Sequence, residues 1–235
     1  MKLRIMLGLA AILVELLLLR LGFWQLARGE EKQQALQAVA AVLQEKRAQP
    51  LGAALAQAQG YTWSQGRVTF REAPLLLLDN QRRGSEVGVS VFQAADTEEG
   101  QSFLVDLGWL PVQGDRQLPK PARLSGTLDV EGLLLPPPSP GFALGPVFSA
   151  QPDGTLLLMR VDREALSEAL NRPLSARILR VDPAQRIGFT RDLSVQANTL
   201  PPEKHRAYAL QWFGLAAAFA VLCIGVMMRK THANG

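Results

Sequence analysis

The chain has 235 residues, of which 48% are hydrophobic and 20% charged, with a formal net charge of +4. That charge forms no basic stripe with interleaved aromatics, which excludes the usual nucleic-acid interface. One cysteine, Cys223, excludes a disulfide framework in any compartment.

Taken in chain order, residues 3–27 form an apolar run with Lys2 and Arg4 at its head and Arg28 behind it. The run exceeds the roughly 20 residues needed to cross a hydrocarbon core. It ends in Gly22-Phe23-Trp24-Gln25, an aromatic anchor of the interfacial kind, rather than in a small-residue cleavage site. Residues 1–27 therefore read as an uncleaved first transmembrane helix, with no presequence expected ahead of it. The helix is expected to run on to about Gln49, because Leu36, Val39, Val42 and Leu43 keep a helical stripe until Pro50 and Gly52.

The texture then changes to short apolar runs separated by Gly, Pro and Asp. Strands are expected near 66–71, 75–79, 87–93, 102–107, 124–133, 155–161 and 176–181. Residues 79–84 read as a turn or loop, and Asp162 as the cap of a short helix through Leu170 that Asn171 and Pro173 end. Residues 136–146 hold five prolines and should form no regular element. Residues 207–228 carry no charge and are closed by Arg229 and Lys230, which makes a second spanning helix. The expected fold class is thus a membrane α+β protein. Two transmembrane helices flank one β-rich, mostly antiparallel extramembrane domain over 28–206, and 229–235 form a tail. The basic residues at both ends place both termini in the cytoplasm, although Arg28, Lys32, Lys204 and Arg206 make the local count nearly a tie.

The two histidines, His205 and His232, both adjoin membrane segments, so the middle region cannot build a Ser-His-Asp or Cys-His site. Gly88-Val89-Ser90 begins like a nucleophile elbow, but Phe92 stands where the second glycine is required. Clusters of Cys and His for zinc, a haem-attachment pattern and a glycine-rich phosphate loop are all missing from the sequence. The middle region does not read as an enzyme.

Polar residues in or beside the membrane segments remain. Glu15 lies near the middle of the first helix, where a carboxyl is either protonated, paired with another protein, or functional. Arg20, Trp24, Arg28 and Lys32 recur every four residues as a basic ridge, suited to lipid phosphate or to the carboxylates of an amphiphilic ligand. On the second helix His205, Tyr208 and Trp212 are spaced i, i+3, i+7. Histidine can ligate a metal while staying neutral, whereas Tyr and Trp are also the ordinary interface belt. Cys223 and Met227, at i, i+4, are a soft-metal pair or plain lipid-facing filler.

Four stretches carry a resemblance. "LGFWQLARGEEK" (21–32) and "PPEKHRAYALQWFGLA" (201–216) closely resemble the opening and closing signatures of the Surfeit locus cytochrome oxidase assembly family. Between them "LLDNQRRGSEVGVSVF" (77–92) and "FLVDLGWLP" (103–111) look like its two internal blocks, in the right order. Asp106-Leu107 departs from the usual Asn-Arg before Gly-Trp, Gln81 replaces an arginine after Asn80, and Arg206-Ala207 replace the usual residues between His and Tyr. The chain resembles a diverged bacterial member.

The resemblance implies two spanning helices in the bacterial inner membrane, a periplasmic domain, and work in maturing haem-copper oxidase. It further implies His205 as a ligand of haem a iron, the haem being held for delivery to cytochrome c oxidase subunit I. Tyr208, Trp212 and Trp24 would pack against the macrocycle, and Arg20 or Arg28 would meet its propionates. Haem A synthase and membrane lipid are the other partners expected. The competing expectation is a cofactor-free membrane scaffold that binds oxidase subunits; a membrane-anchored outer-face enzyme is disfavoured by the absent histidines.

Overall fold

The computed structural model describes residues 2–57, 59–114, 117–138, 145–195 and 200–232. They divide into two compact units, residues 39–197 and the two terminal stretches 1–38 with 198–235.

Helix α1 (Lys2–Glu45) passes from the terminal unit into the middle one without a break. Its Ala, Leu, Gln and Glu-rich sequence contains no proline to stop it. It ends where Lys46 turns left-handed, φ 42°, its N–H donating to the Val42 carbonyl at 2.9 Å. The last turns contribute most of the expected stripe: Val39, Val42 and Leu43 pack with Trp63, Leu133 and Leu135, while Leu36 is exposed. The helix thus stops four residues before the expected Gln49, and next come β1 (Gln49–Pro50) and a single-turn helix α2 (Leu51–Leu55), neither foreseen, Pro50 capping the start of α2 rather than closing α1.

The rest of the middle unit is a sheet of β2 (Thr62–Phe70), β3 (Leu76–Arg83), β4 (Glu86–Thr97), β5 (Ser102–Pro111), β6 (Gly126–Leu135), β7 (Phe148–Ala150), β8 (Leu156–Leu158) and β9 (Leu174–Val181). Helix α3 (Arg163–Ala169) precedes β9 and is capped as expected, the Asp162 carboxylate accepting from the Ala165 N–H at 3.0 Å. β2, β6, β9, β5 and β4 pair in that order, and the end of β4 pairs back onto β2. The five strands thereby close a barrel, and β3, β8 and β7 extend the sheet from β4.

The sheet is mixed, its antiparallel pairings outnumbering the parallel ones. β1–β2, β3–β8 and β5–β9 run parallel; the other pairings among the described residues are antiparallel. The cause is the route of the chain. β9 is reached only after β8 and α3, so it returns along β5 in the same direction, as a crossover connection requires.

Alternate residues of the barrel strands point inward: Val68 and Phe70, Val89 and Val91, Phe103, Val105 and Leu107, Val130 and Leu134, Leu179 and Val181. The opposite faces of β3, β4, β5 and β9 bury Leu76, Phe92, Leu104 and Ile178 under Leu166 of α3. Burial on both faces is why these strands read as continuous apolar runs in the sequence. β5 carries one extra residue against β4 at Leu107, and Gly108 after it adopts φ 114°. A Cβ there would lie 2.8 Å from the Phe189 carbonyl oxygen, so only glycine fits this bulge.

The turn expected at 79–84 is mostly strand: β3 continues to Arg83 through a register shift at Asn80, φ 56°, and the hairpin turns at Gly84 and Ser85. Of the proline-rich loop, residues 136–138 and 145–146 hold no regular element, and 139–144 lie outside the described residues.

Candidate functional site in the helix pair

The terminal unit is α1 up to Ala38 with α4 (Pro202–His232). Both helices are long and apolar enough to cross a membrane, and little of either apolar window is buried in the protein. The two helices fit a membrane protein. Their covered positions follow a pattern. On α1 the buried or half-buried residues include Ala11, Glu15, Leu18, Gly22, Gln25, Gly29 and Lys32; on α4 they include Pro202, His205, Ala209, Trp212, Ala216, Phe219 and Cys223. Both series advance in alternating steps of three and four, the 3.5-residue period of two helices meeting along a seam.

Glycine sets how closely they meet. A Cβ on Gly22 would lie 2.5 Å from the Phe213 ring, and one on Gly29 would lie 3.3 Å from the His205 Cβ and 3.4 Å from the Pro202 carbonyl oxygen. Phe23 meets Phe213 edge to face, ring centroids 5.2 Å apart. Lys32 Nζ donates to the Leu200 carbonyl at 2.7 Å.

His205 stands in this seam, 7% exposed. Its Nδ1 is 2.6 Å from Oε1 of Gln25. Its Nε2 is buried and has no hydrogen-bond partner. A neutral imidazole oriented through one nitrogen, with the other free, is the arrangement an iron ligand needs. His205 could therefore hold a haem iron through Nε2 once that enclosed nitrogen is uncovered.

The other expected site residues divide. Trp212 shares the seam with His205 and is half-buried, whereas Tyr208 is 42% exposed. Arg20, Trp24 and Arg28 lie on the open face of α1, with Trp24 56% exposed. Arg28 donates from a guanidinium nitrogen to Glu31 Oε2 at 2.6 Å. Among the described residues no hydrogen bond joins this ridge to His205, but the charges of Lys32 and Arg28 both act on its ring. Gln25, which holds the ring, was not singled out from the sequence, although it is the last letter of the Gly-x-Trp-Gln signature. Glu15 is half-buried, with Oε2 unpartnered. Cys223 is a free, half-buried thiol, and the side chains of Met227 and His232 lie outside the described residues. Among the described residues no group of three His, Cys, Asp or Glu side chains could hold a metal ion.

The middle unit has a cleft of about 140 Å³ where the two internal sequence blocks converge, Trp109 Nε1 donating to the Gln81 carbonyl at 3.0 Å. Most of its cations are spent internally. Arg83 pairs with Asp192 at 3.0 Å and Arg180 with Asp106 at 2.8 Å. Arg191 donates to the carbonyls of Val181, Asp182, Gln185 and Phe189. The Arg83 and Arg191 bonds hold the 182–194 segment in shape and to β3 and β9, and the Arg180 pair joins β9 to β5, structural roles.

Residues 12–217 match the model of the SURF1 family. No curated protein matches the chain. The match takes in the helix seam, the closed barrel and all four sequence blocks. The chain therefore belongs to the SURF1 family of cytochrome c oxidase assembly factors.

Proposed function

We propose that this protein holds haem a through His205 during oxidase assembly and releases it to subunit I. The observation that carries the reading is the buried, unpartnered Nε2 of His205 beside the end of a membrane-spanning helix. A lone pair left without a donor in a dry seam is costly unless a ligand takes it up. Trp212, half-buried on the same seam, supplies a flat apolar wall; Tyr208 and Trp24 extend it on the open faces. Arg28 offers a guanidinium group to the propionates near the level of the lipid headgroups, and Arg20 offers one about two turns deeper. Haem a supplies the redox-active iron of the finished oxidase and undergoes no chemistry here. Because Nε2 is enclosed, the imidazole becomes available only when the seam parts beside it, which couples occupancy to the separation of α1 and α4.

In this reading the chain is a two-span protein of the bacterial inner membrane. Both termini are cytoplasmic, and residues 28–206 form the periplasmic domain. Subunit I is the acceptor, and haem A synthase is the source; membrane lipid covers the remaining apolar faces. The test is purification of the full chain from cells that make haem a. Wild type should carry a Soret band, and His205→Ala should lose it at unchanged abundance in the membrane. A wild type that never carries haem, or a His205→Ala variant that keeps all of it, overturns the reading in favour of a cofactor-free scaffold.

A further inference from the structure

We propose that Gln25 is a positioning residue that fixes the tautomer of His205, keeping the proton on Nδ1 and the lone pair on Nε2. Gln25 Oε1 lies 2.6 Å from Nδ1, and an amide oxygen can only accept. Nδ1 must then donate, and in a neutral ring the lone pair falls on Nε2. The reversed amide would donate to Nδ1 and place the ring proton on Nε2, which is buried with no acceptor. A buried N–H without a partner is the rarer orphan, so the observed orientation is the better satisfied one.

The fold arranges this contact. Gln25 lies between Gly22 and Gly29 on the α1 seam; Gly22 makes room for the Phe213 ring and Gly29 for the Pro202 carbonyl and His205, a close approach that sets the short reach of the amide. A neutral amide is also a different orienting group from a carboxylate. A carboxylate would make the imidazole more basic and a stronger donor to a metal. An amide sets the geometry while leaving the ring a moderate ligand, suited to a group that is to be handed on. That last consequence rests on the haem reading; the tautomer does not.

The experiment has two arms on the full chain in detergent. Nitrogen NMR of histidine-labelled protein without haem reads the tautomer directly, the His205 signal being identified by its persistence in His232→Ala. Wild type should show a protonated Nδ1 and an unprotonated Nε2. Gln25→Leu should shift the ring to a mixture or to the opposite tautomer, and Gln25→Glu should restore the Nδ1 proton. A wild-type ring protonated at Nε2, or one indifferent to Gln25→Leu, overturns the inference. In the second arm the same variants are titrated with haem a. Gln25→Leu should bind roughly 10–100-fold more weakly, the usual effect of removing an orienting partner, and Gln25→Glu should bind at least as tightly as wild type. Haem affinity unchanged in Gln25→Leu refutes the positioning role. Absence of haem binding in a wild type that shows the expected tautomer sinks the haem reading alone.

Discussion

Asp106 offers a sharp test of how the middle unit tolerates its departure from the family pattern. Its carboxylate is almost fully buried; one oxygen accepts from Arg180 Nε at 2.8 Å and the other from the Gly108 N–H at 3.0 Å. Asp106 and Arg180 are register partners across the parallel β5–β9 pairing. In Asp106→Asn a single carbonyl oxygen must serve one of these donors, while the new NH₂ group faces the other. Removing one member of a buried pair costs about 3–5 kcal/mol. Here the loss should be smaller, because the Arg180 side chain is 21% exposed and keeps its 2.7 Å bond to the Ser194 carbonyl. We expect about 2–3 kcal/mol, which for a unit of this size lowers the unfolding midpoint by roughly 5–10 °C. The assay is thermal unfolding of the full chain in detergent, with hydrogen exchange of the β5 and β9 amides to place the effect. Arg180→Gln and the double variant complete a cycle, with an expected coupling of about 1.5 kcal/mol or more. A coupling near zero would show that the pair contributes nothing, and that the aspartate is not held in place by Arg180.

Two further outcomes follow from the same unit. Leu107→Arg restores the residue usual in the family but puts a charge at a position 0% exposed inside the barrel; it should cost more than about 4 kcal/mol and abolish cooperative unfolding, and an unchanged midpoint would contradict the packing described. Burial pushes the Asp182 carboxyl up, but the Ala184 N–H, the Lys46 ammonium and Arg191 together hold it below its ordinary value. A depressed folded value contributes stability that is fully present above the unfolded value of about 3.9 and is lost as pH falls through the folded one. Asp182→Asn should therefore flatten the acid limb of urea-unfolding stability, and an identical limb in the two proteins would refute the assignment.

Much of the fold was legible because its signals are local. The apolar ends, the stripe at Val39, Val42 and Leu43, the Asp162 cap and most strands are fixed by neighbours a few residues away. What was hidden depends on partners far along the chain. Nothing near Ala95 or Val68 announces that β4 closes onto β2, because that pairing is set by the length and bend of a twelve-residue strand already paired elsewhere. Arg177 is fully buried and forms no ion pair among the described residues. Its guanidinium donates to the carbonyls of Ala54, Gly60 and Leu134 and to Thr62 Oγ1. In sequence it is one more surface-like arginine; only the fold makes it a tie between α2, β2 and β6.

Which residues share the seam with His205 was only partly legible, and helical period explains why. His205 stood out for its rarity and its place. Tyr208 was grouped with it because i and i+3 are neighbours on an isolated helix. Two helices meeting along a seam select a narrower stripe of 3.5-residue period, and on that stripe Trp212 stays with His205 while Tyr208 turns out to 42% exposure. The basic ridge winds around the helix for a related reason. A step of four residues advances about 40° past a full turn, so Arg20 and Lys32 diverge by about 120° over three steps. Arg20, Trp24 and Arg28 accordingly lie open, while Lys32 has rotated inward to the Leu200 carbonyl. Gln25 lies on the other side of that drift, on the stripe that steps from Gly22 to Gly29. A neutral amide there carries no charge, no ligand chemistry and no anomaly of composition. It becomes a candidate only once the register of α1 against α4 sets its oxygen on the histidine, and that register follows from two glycines opposite Phe213 and His205.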